Sequence, residues 1–553
     1  MAVVVLGLIG LAASIVATAI ILLATIDLRP WIERYATQTL DHRLTIGALR
    51  IRWGNPLSLE ITDLRLANAA WSTSADMVRI ERIVAEIDLL SLVRGVWRFE
   101  RLDVTKPEIV LQRDATGTGN WRFSAAASPR DRRIAPNKRA GSPVLIDFRL
   151  RRGELTYRTS SGAVLRIDLQ DMTIRSAGDD TPVSIRVDGA YNGTPVRLSA
   201  ETQSFSVLRN ASMPFGLEAS ASTPTADIEF SGTMMHPLDF DGVQGSMRID
   251  ARDLGDLLNL LGAGIQADLP ILLTGAFSRT GVHWQLSDAK GELAKDAFEG
   301  SLTLDEGGRG EPDEVGIAAS FARLDLTPIL ADDAMAKNRK GRAAPAPVHG
   351  ALSLELEAKR GTNFDAQLVA SAVAYRAMRL SDFRARGRLA SDQASISQMS
   401  FSFAGGAVEA SGSVRRGAPG SRVTANASIS GAESSQIAKM LGAEAGQIAG
   451  KLTGRATLAM TGMTIDDALK ASHAGAVLVM KDGRIAHALL EKLSADLRSL
   501  FRKDERLARI SCLLGVIDMR DGRGVISQLR LQTPATILLG GGQVDFLRQR
   551  LDL

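Results

Sequence analysis

The sequence predicts a mainly β protein, with an N-terminal transmembrane helix, a long antiparallel β-sheet and a few short helices. Residues 2–26 contain no charged residue and no proline, whereas apolar and polar residues alternate through much of the remaining chain. Aromatic residues make up only 5% of the 553 residues and 51 are glycine. This composition suits many strands joined by small turns, and the length indicates several domains or one elongated one.

The uncharged segment Ala2–Ile26 is 25 residues long, enough to cross a hydrocarbon layer of about 30 Å. A cleaved signal peptide has a basic start and a shorter apolar core, so we expect an uncleaved anchor at 1–27. Trp31 fits the aromatic belt of a membrane interface. Because Arg29 and Arg34 follow the anchor, the positive-inside rule taken literally places the body in the cytoplasm. The residues alone leave this orientation open.

The first predicted strands set the pattern of the body. Leu57, Leu59 and Ile61 alternate with polar residues, and the apolar phase then slips by one to Leu64 and Leu66. Alternation predicts a strand with one apolar face, and the slip predicts a bulge or a bend. Further stretches alternate in the same way, and their apolar positions include Ile83, Ile87, Ile109 and Leu111.

Glycine-containing turns separate later alternating runs. Asn192-Gly193 is a strong hairpin signal, Gly405-Gly406 lies between two apolar runs, and Gly540–Gly542 is also interpreted as a turn. The pattern predicts one-sided antiparallel hairpins over most of the chain, and one-sided sheets need a cover on the apolar face. The sequence contains no series of long amphipathic helices that could supply one.

Two basic, Ala/Pro-containing stretches suggest boundaries, because they read as exposed loops or linkers. An alternative for them is contact with anionic lipid headgroups. Apolar residues at helical spacing predict helices over 485–502 and 434–442. The predicted division is an anchor 1–27, an N-terminal β region 28–123, a basic linker or loop 124–143, a middle β region 144–332, a basic linker 333–349 and a C-terminal β region 350–553.

The sequence offers no motif for catalysis. The single cysteine, Cys512, excludes an internal disulfide and any CxxC metal site. None of the six histidines pairs with another at metal-ligand spacing, and no HExxH, GxSxG or P-loop motif occurs. The net charge of +4 gives no whole-chain case for nucleic-acid binding. We therefore expect no enzyme, no catalytic residue, no metal and no cofactor.

Residues 104–123, VTKPEIVLQRDATGTGNWRF, carry a recognisable pattern. Pro107 opens an apolar strand, Arg113-Asp114 and two glycines follow, and Asn120-Trp121 closes the stretch. This pattern resembles the AsmA family of bacterial envelope proteins, as do the anchor, the Leu-Leu-Ser-Leu-Val break at 89–93 and the C-terminal stretch from 479 onward.

The resemblance implies an inner-membrane anchor, a large periplasmic body and an elongated, curled sheet with an apolar groove, as in TamB-like and bridge-like lipid transfer proteins. It thus implies phospholipids as partners, transport toward the outer membrane, and an outer-membrane or periplasmic protein partner. The candidate groove-lining residues are Leu57, Leu59, Ile61, Ile83, Ile87, Ile109 and Leu111. The alternative is a scaffold or assembly factor for outer-membrane protein biogenesis, which would capture strands at an open sheet edge.

Overall fold

The computed structural model describes residues 27–40, 42–112, 119–121, 139–158, 164–237, 240–256, 269–307, 311–327, 362–376, 378–418, 420–440, 448–486, 507–545 and 550–552. They form two compact units. Unit 1 comprises Met1–Arg252, Leu272–Ser287 and Asp305–Pro312, and unit 2 comprises Asp253–Ile271, Asp288–Leu304 and Asp313–Leu553. Strands dominate, so the prediction of a mainly β protein with few short helices is confirmed.

The helices are α1 (Arg29–Leu40), α2 (Leu89–Val93), α3 (Phe205–Arg209), α4 (Ser434–Met440) and α5 (Ile465–Lys470), with a short 3-10 helix at Arg139–Gly141. The strands up to residue 251 are β1 (Leu44–Arg52), β2 (Leu57–Ala67), β3 (Asp76–Ile87), β4 (Arg98–Gln112), β5 (Val144–Leu145), β6 (Asp147–Arg158), β7 (Val164–Ser176), β8 (Val183–Tyr191), β9 (Thr194–Thr202), β10 (Phe215–Ser222), β11 (Ala226–His236) and β12 (Asp241–Ala251).

The later strands are β13 (Ile271–Thr280), β14 (His283–Leu293), β15 (Asp296–Asp305), β16 (Asp313–Asp325), β17 (Thr362–Tyr375), β18 (Met378–Leu389), β19 (Gln393–Phe403), β20 (Gly406–Arg415), β21 (Ser421–Glu433), β22 (Ile448–Gly462), β23 (His473–Met480), β24 (Gly483–Ala486), β25 (Leu507–Ile510), β26 (Cys512–Arg520), β27 (Arg523–Gln532), β28 (Ile537–Asp545) and β29 (Arg550–Asp552).

Strand pairing departs from the predicted purely antiparallel sheet at the two basic stretches. Most neighbours are antiparallel, but β4 pairs with β6 in parallel, and β16 pairs with β17 in parallel. A parallel pair needs a crossover of a dozen or more residues. The predicted linkers 124–143 and 333–349 fall in those two connections. Residues 124–138 and 333–349 lie outside the described residues, but Arg139, inside the first predicted linker, is fully buried.

Local predictions have mixed outcomes. The Asn192-Gly193 hairpin is confirmed: the two residues have φ of 48° and 84° and join β8 to β9. Helix α4 confirms the prediction at 434–442. The turn at Gly540–Gly542 is wrong, because these glycines lie inside β28, where Gly540 pairs with Leu529 and Gly542 with Ile526. The turn falls earlier, at Thr533–Thr536, where the Thr533 N–H donates to the Thr536 carbonyl at 2.8 Å.

The prediction that a helix over 485–502 begins at Ile485 is wrong. Ile485 lies in β24, where it pairs with Ile448 and Ala508, and it is fully buried. The apolar residues from 489 onward that motivated the helix lie outside the described residues. The predicted anchor Ala2–Ile26 also lies outside them, and no helix in the described ranges is long and apolar enough to span a membrane.

Candidate functional site

The main surface feature of unit 1 is an apolar face whose continuity follows from strand register. Residues paired directly across two strands point to the same side of the sheet. Apolar residues face apolar residues in this way from β1 through β12, omitting the two-residue β5. Apolar row 1 consists of Ile51, Leu59, Ala85, Leu102, Phe148, Ile174, Ile185, Ala200, Ala219, Phe230 and Met247. Apolar row 2 consists of Leu49, Ile61, Ile83, Val104, Leu150, Met172, Val187, Leu198, Ala221, Ile228 and Ile249. These rows define one continuous apolar surface.

The opposite face of the same strands is polar. The register that links the apolar rows also links Arg50, Glu60, Val84, Asp103, Arg149, Thr173, Arg186, Ser199, Ser220, Glu229 and Arg248. Ion pairs cross this face, with Arg82 2.8 Å from Glu60 and Lys106 3.9 Å from Glu81. Exposed pairs of this kind stabilise little, but the charges keep this side hydrated. Unit 1 is therefore a two-faced sheet.

The phase slip seen in the sequence runs across neighbouring strands in register. Asp63 in β2, Lys106 in β4 and Arg152 in β6 have φ of 51°, 51° and 54°, the left-handed region that flips the pleat. The pairs around them place Asp63 opposite Gly47 and opposite Glu81, so β1 and β3 shift at the same level. Because the strands slip together, each keeps its apolar side on the shared face.

Side-chain positions at Gly153 show that the apolar face continues across the slip. A Cβ at Gly153 would lie 2.8 Å from Leu150 Cδ2 and 3.2 Å from Pro107 Cγ. Leu150 precedes the left-handed Arg152 and Gly153 follows it, so side chains from both sides of the slip meet over the same face. The predicted bulge or bend at residues 62–64 is thus one part of a change in the side-chain alternation that several neighbouring strands share.

The predicted lining residues lie on this face, but at different positions along the strands. Leu57 pairs with Ile87, Leu59 with Ala85 and Ile61 with Ile83. Ile109 pairs with Val78 and Leu155, and Leu111 pairs with Tyr157, toward the other end of the strands. Six of the seven are half-buried, whereas Ile87 is only 3% exposed. Ile87 therefore offers little surface to a ligand.

The Asn-Trp motif of the sequence is a structural clasp. Asn120 is buried; its side-chain amide donates to the Val110 carbonyl and to Asn68 Oδ1, both at 2.8 Å, and accepts from the Gln112 N–H at 2.9 Å. Trp121 then packs against Leu66 and Met77, with Leu111 beside them. This cluster closes one end of the unit 1 strands.

A buried arginine holds the other end, which we call the helix-bearing end; it carries the last residues of β1 and β3 together with α2 and α3. Arg139 is fully buried and donates to four carbonyl oxygens, those of Leu208 (2.6 Å), Met213 (3.0 Å), Met235 (3.1 Å) and Val207 (3.3 Å). Burial lowers the pKa of this guanidinium from its ordinary value. Sequence reasoning missed this residue because a basic, proline-rich stretch indicates an exposed loop.

Unit 2 carries its own apolar face, built from smaller side chains. Register links one residue from each of ten strands, β16–β23, β26 and β27, in an apolar row 3. Apolar row 3 consists of Ala319, Leu368, Ala385, Met399, Ala410, Ala427, Ala456, Ala476, Ile517 and Ile526. Ala427 and Ala456 are exposed. The sequence signals this row only as alternation, since nothing in it reveals which strands pair.

Each unit has an open concavity along its strands. One of about 780 Å³ in unit 1 is lined by residues that include Arg186, Glu201, Glu218, Glu229 and Arg248. Another of about 350 Å³ in unit 2 has Ser400, Glu409 and Arg455 in its wall. Both are open, and their linings also include residues of the apolar rows, such as Phe230 and Met247 in the first and Met399 and Ala427 in the second. Among the described residues, no cluster of three or more histidine, cysteine or carboxylate side chains could hold a metal ion.

These features define a β-sheet scaffold with an extended apolar surface on one side and a charged surface on the other. The model of the AsmA family matches residues 1–145. The chain is also similar to the AsmA family protein YhjG of Escherichia coli K12, with 21% identity over 607 aligned positions that cover 98% of this chain and 86% of that protein. These matches confirm the predicted resemblance to the AsmA family. No solved structure matches the chain.

Proposed function

We propose that this chain is an inner-membrane-anchored periplasmic protein whose apolar face binds phospholipid acyl chains and supports lipid transport toward the outer membrane. The observation that carries the proposal is the register-linked continuity of apolar rows 1 and 2 across eleven strands. The membership of relatives in an envelope-protein family supports it.

The dimensions of the apolar rows favour a path over a single pocket. With strands about 4.8 Å apart, the ten intervals of a row extend roughly 48 Å. One leaflet's acyl chains fill about half of a hydrocarbon core of ~30 Å. A row therefore offers room for several chain lengths in succession. Each CH₂ kept from water contributes about 0.8 kcal/mol, so an interrupted path would impose a large barrier.

The described helices cannot cover these rows. The longest is α1 with 12 residues, and the remaining four have between five and seven. Most row residues are half-buried by their neighbours, as Leu59, Ile83 and Leu198 are. An acyl chain laid across them would remove the remaining apolar surface from water, which is the driving force that the proposal requires.

The assembly-factor alternative needs a free strand edge, and the edge of β1 is occupied. Glu33 Oε1 accepts from the Ile46 N–H at 2.7 Å, and Thr37 Oγ1 accepts from the Leu44 N–H at 3.1 Å, both from α1. A covered edge is protected from pairing with another chain. This contact favours the apolar face over the β1 edge as the working surface.

Photo-crosslinking in cells tests the proposal. Crosslinkers at Leu59 and Leu198 should capture phospholipid, whereas crosslinkers at their sequence neighbours Ser58 and Ser199, on the polar face, should not. Ile83→Asp should lower capture at Leu198 at least tenfold, because a carboxylate in the path cannot be solvated by acyl chains; Arg82→Asp on the polar face is its matched control. If crosslinkers in apolar rows 1 and 2 capture unfolded outer-membrane proteins and no phospholipid, the assembly-factor alternative replaces the proposal.

Localisation has a separate test. An alkaline phosphatase fused after residue 40 should be active, because the enzyme folds in the periplasm. Activity only of a cytoplasmic reporter fused at the same position would contradict the proposed topology while leaving lipid binding to be judged by the crosslinks.

A further inference from the structure

The connection between β3 and β4 displays apolar side chains to solvent. Leu90 and Val93 of α2 are 62% and 88% exposed, and Trp97 is 54% exposed; together they are called the α2 patch. The turn that carries them is well formed: Asp88 Oδ1 accepts from the Leu90 N–H at 3.0 Å, and the buried Ser91 donates to the Asp88 carbonyl at 2.8 Å. The patch is thus held outward by an ordered structure.

The chain enters unit 1 from the side on which the patch lies. Along α1, Thr37 contacts Leu44, Glu33 contacts Ile46, and Arg29 donates to the Gly47 carbonyl at 2.7 Å. The nearer a residue of α1 lies to the N-terminus of the helix, the nearer its partner in β1 lies to Arg52. Arg52 is at the helix-bearing end, where β3 stops and α2 begins. The N-terminal end of α1, which follows the uncharged segment in sequence, therefore points toward the end that carries the α2 patch.

The polar and aromatic side chains of helix α1 are arranged in the opposite way to those of a typical surface helix. Its polar residues Glu33 and Thr37 face the protein, whereas Trp31 and Tyr35 stack on each other at 5.8 Å and are exposed. A helix on the surface of a soluble protein normally does the opposite. Aromatic side chains beside basic ones are typical of the membrane interface, and Arg34 is exposed on the same side.

The α2 patch has matching chemistry. Leu90 and Val93 are purely apolar, Trp97 has an apolar ring with one donor, and Arg94 is exposed between them. Arg52 is exposed at the same end of the strands. Shallow apolar insertion combined with cations near the headgroups is what binds a peripheral segment to an anionic bilayer.

We propose that the α2 patch inserts into the surface of the phospholipid bilayer that holds residues 2–26, and so seats the first strands of apolar rows 1 and 2 at the membrane. The inference rests on the proposed function in taking residues 2–26 as a membrane anchor. It adds a second contact, formed by the folded sheet, at which acyl chains pass from the bilayer to β1–β3.

The test uses the full chain with Cys512→Ala, reconstituted in vesicles of phosphatidylethanolamine and phosphatidylglycerol (3:1) that contain doxyl-labelled lipid. A single cysteine carrying an environment-sensitive fluorophore is placed at Val93, at Trp71 or at Ser14. Trp71 is the matched control, because it is an exposed apolar residue in the β2–β3 connection at the opposite end of the strands. The label at Ser14 reports whether the uncharged segment is in the bilayer.

The proposal expects strong quenching at Ser14 and Val93 and little at Trp71. Quenching at Ser14 with none at Val93 would overturn the docking proposal and leave the proposed function intact. Absence of quenching at Ser14 would overturn the anchor and the docking proposal together.

A second variant tests the seating. Leu90→Ser with Val93→Ser should reduce phospholipid capture at Leu198 about tenfold, whereas Val164→Ser, an exposed apolar residue at the opposite end, should leave capture unchanged. Equal capture in both variants would show that the path fills without the patch and would overturn its role in seating the strands.

Discussion

The apolar faces of the two units differ in the size of their side chains. In unit 1, apolar row 2 contains one alanine, Ala221, among leucine, isoleucine, valine and methionine. In unit 2, six of the ten residues in apolar row 3 are alanine. Each leucine replaced by alanine removes three carbons, or about 2 kcal/mol of apolar contact at roughly 0.8 kcal/mol per carbon. Unit 1 thus offers more contact, and unit 2 offers more space above the backbone.

The strand ends of the two units are also closed by different chemistry. At its helix-bearing end, unit 1 combines an apolar cluster of Val144, Val183 and Phe205 with the buried guanidinium of Arg139 and four carbonyl oxygens. Unit 2 uses the fully buried Met480, Ile485 and Ile510, packed with Leu452 and Leu531. A polar closure fails badly when one partner is lost, whereas an apolar closure loses stability in proportion to the volume removed. The two faces are built from the same alternation, but buried hydrogen bonds contribute to the strand ends in unit 1 and apolar packing holds them in unit 2.

The largest effect expected from this comparison is at Arg139. Arg139→Met should lower the free energy of unfolding by roughly 4 kcal/mol, because four carbonyl oxygens around a fully buried side chain lose their charged donor. Urea unfolding monitored by circular dichroism measures the change, because all six tryptophans lie in unit 1 and their fluorescence would not report on unit 2. The matched control is Ile485→Val in unit 2, for which about 1 kcal/mol is expected. Equal losses at the two sites would remove the contrast between polar and apolar closure.

An intermediate effect is expected when alanines of apolar row 3 in unit 2 are replaced by leucine. Ala427→Leu with Ala456→Leu should reduce phospholipid capture by a crosslinker at Ala476 about fivefold, equivalent to roughly 1 kcal/mol, because tall side chains occupy the space above the row. In unit 1, Ala221→Leu should change capture at Leu198 by less than twofold, since its neighbours are already large. If the two units respond alike, the difference in side-chain size has no bearing on occupancy.

The smallest effect concerns acid stability. Burial alone raises the pKa of Asp241, but the N–H groups of Gly281 and Gly242, both at 2.7 Å, outweigh it, and the pKa lies below the ordinary 3.8. A depressed pKa stabilises the fold above pH 3.8, and this contribution is lost as the pH falls through the folded-state value. Asp241→Asn should therefore flatten the acid limb of the stability curve of unit 1.

Asp325 in unit 2 supplies the comparison for the acid limb of the stability curve. The hydroxyl and N–H of Thr327 lower its pKa, with the N–H at 2.9 Å. Asp325→Asn should likewise flatten the acid limb, because the lowered pKa of this carboxyl depends on the Thr327 donors. An unchanged acid limb in both variants would contradict the assignment of the acid dependence to these two carboxylates.

The sequence alone determined the properties that are local to a strand or a turn. Alternation in Leu57–Ile61 and the slip before Leu64 follow from the two-residue repeat of the pleat, and Asn192-Gly193 follows from the φ values that a tight hairpin requires. These features need no knowledge of distant partners, so they could be predicted residue by residue. The same holds for the motif around Asn120-Trp121, although its role as a clasp became visible only from its contacts.

Only the tertiary structure decided which strands pair, and pairing decides whether separate apolar faces become one surface. β4 lies beside β6 in parallel across a connection of more than 30 residues, so neither the register Val104–Leu150 nor the burial of Arg139 is readable from neighbouring residues. Gly540–Gly542 likewise lie in a strand because β27 supplies partners for their backbone groups. Hydrogen-bond register joins residues far apart in sequence, whereas the pleat is set by each residue and its immediate neighbours.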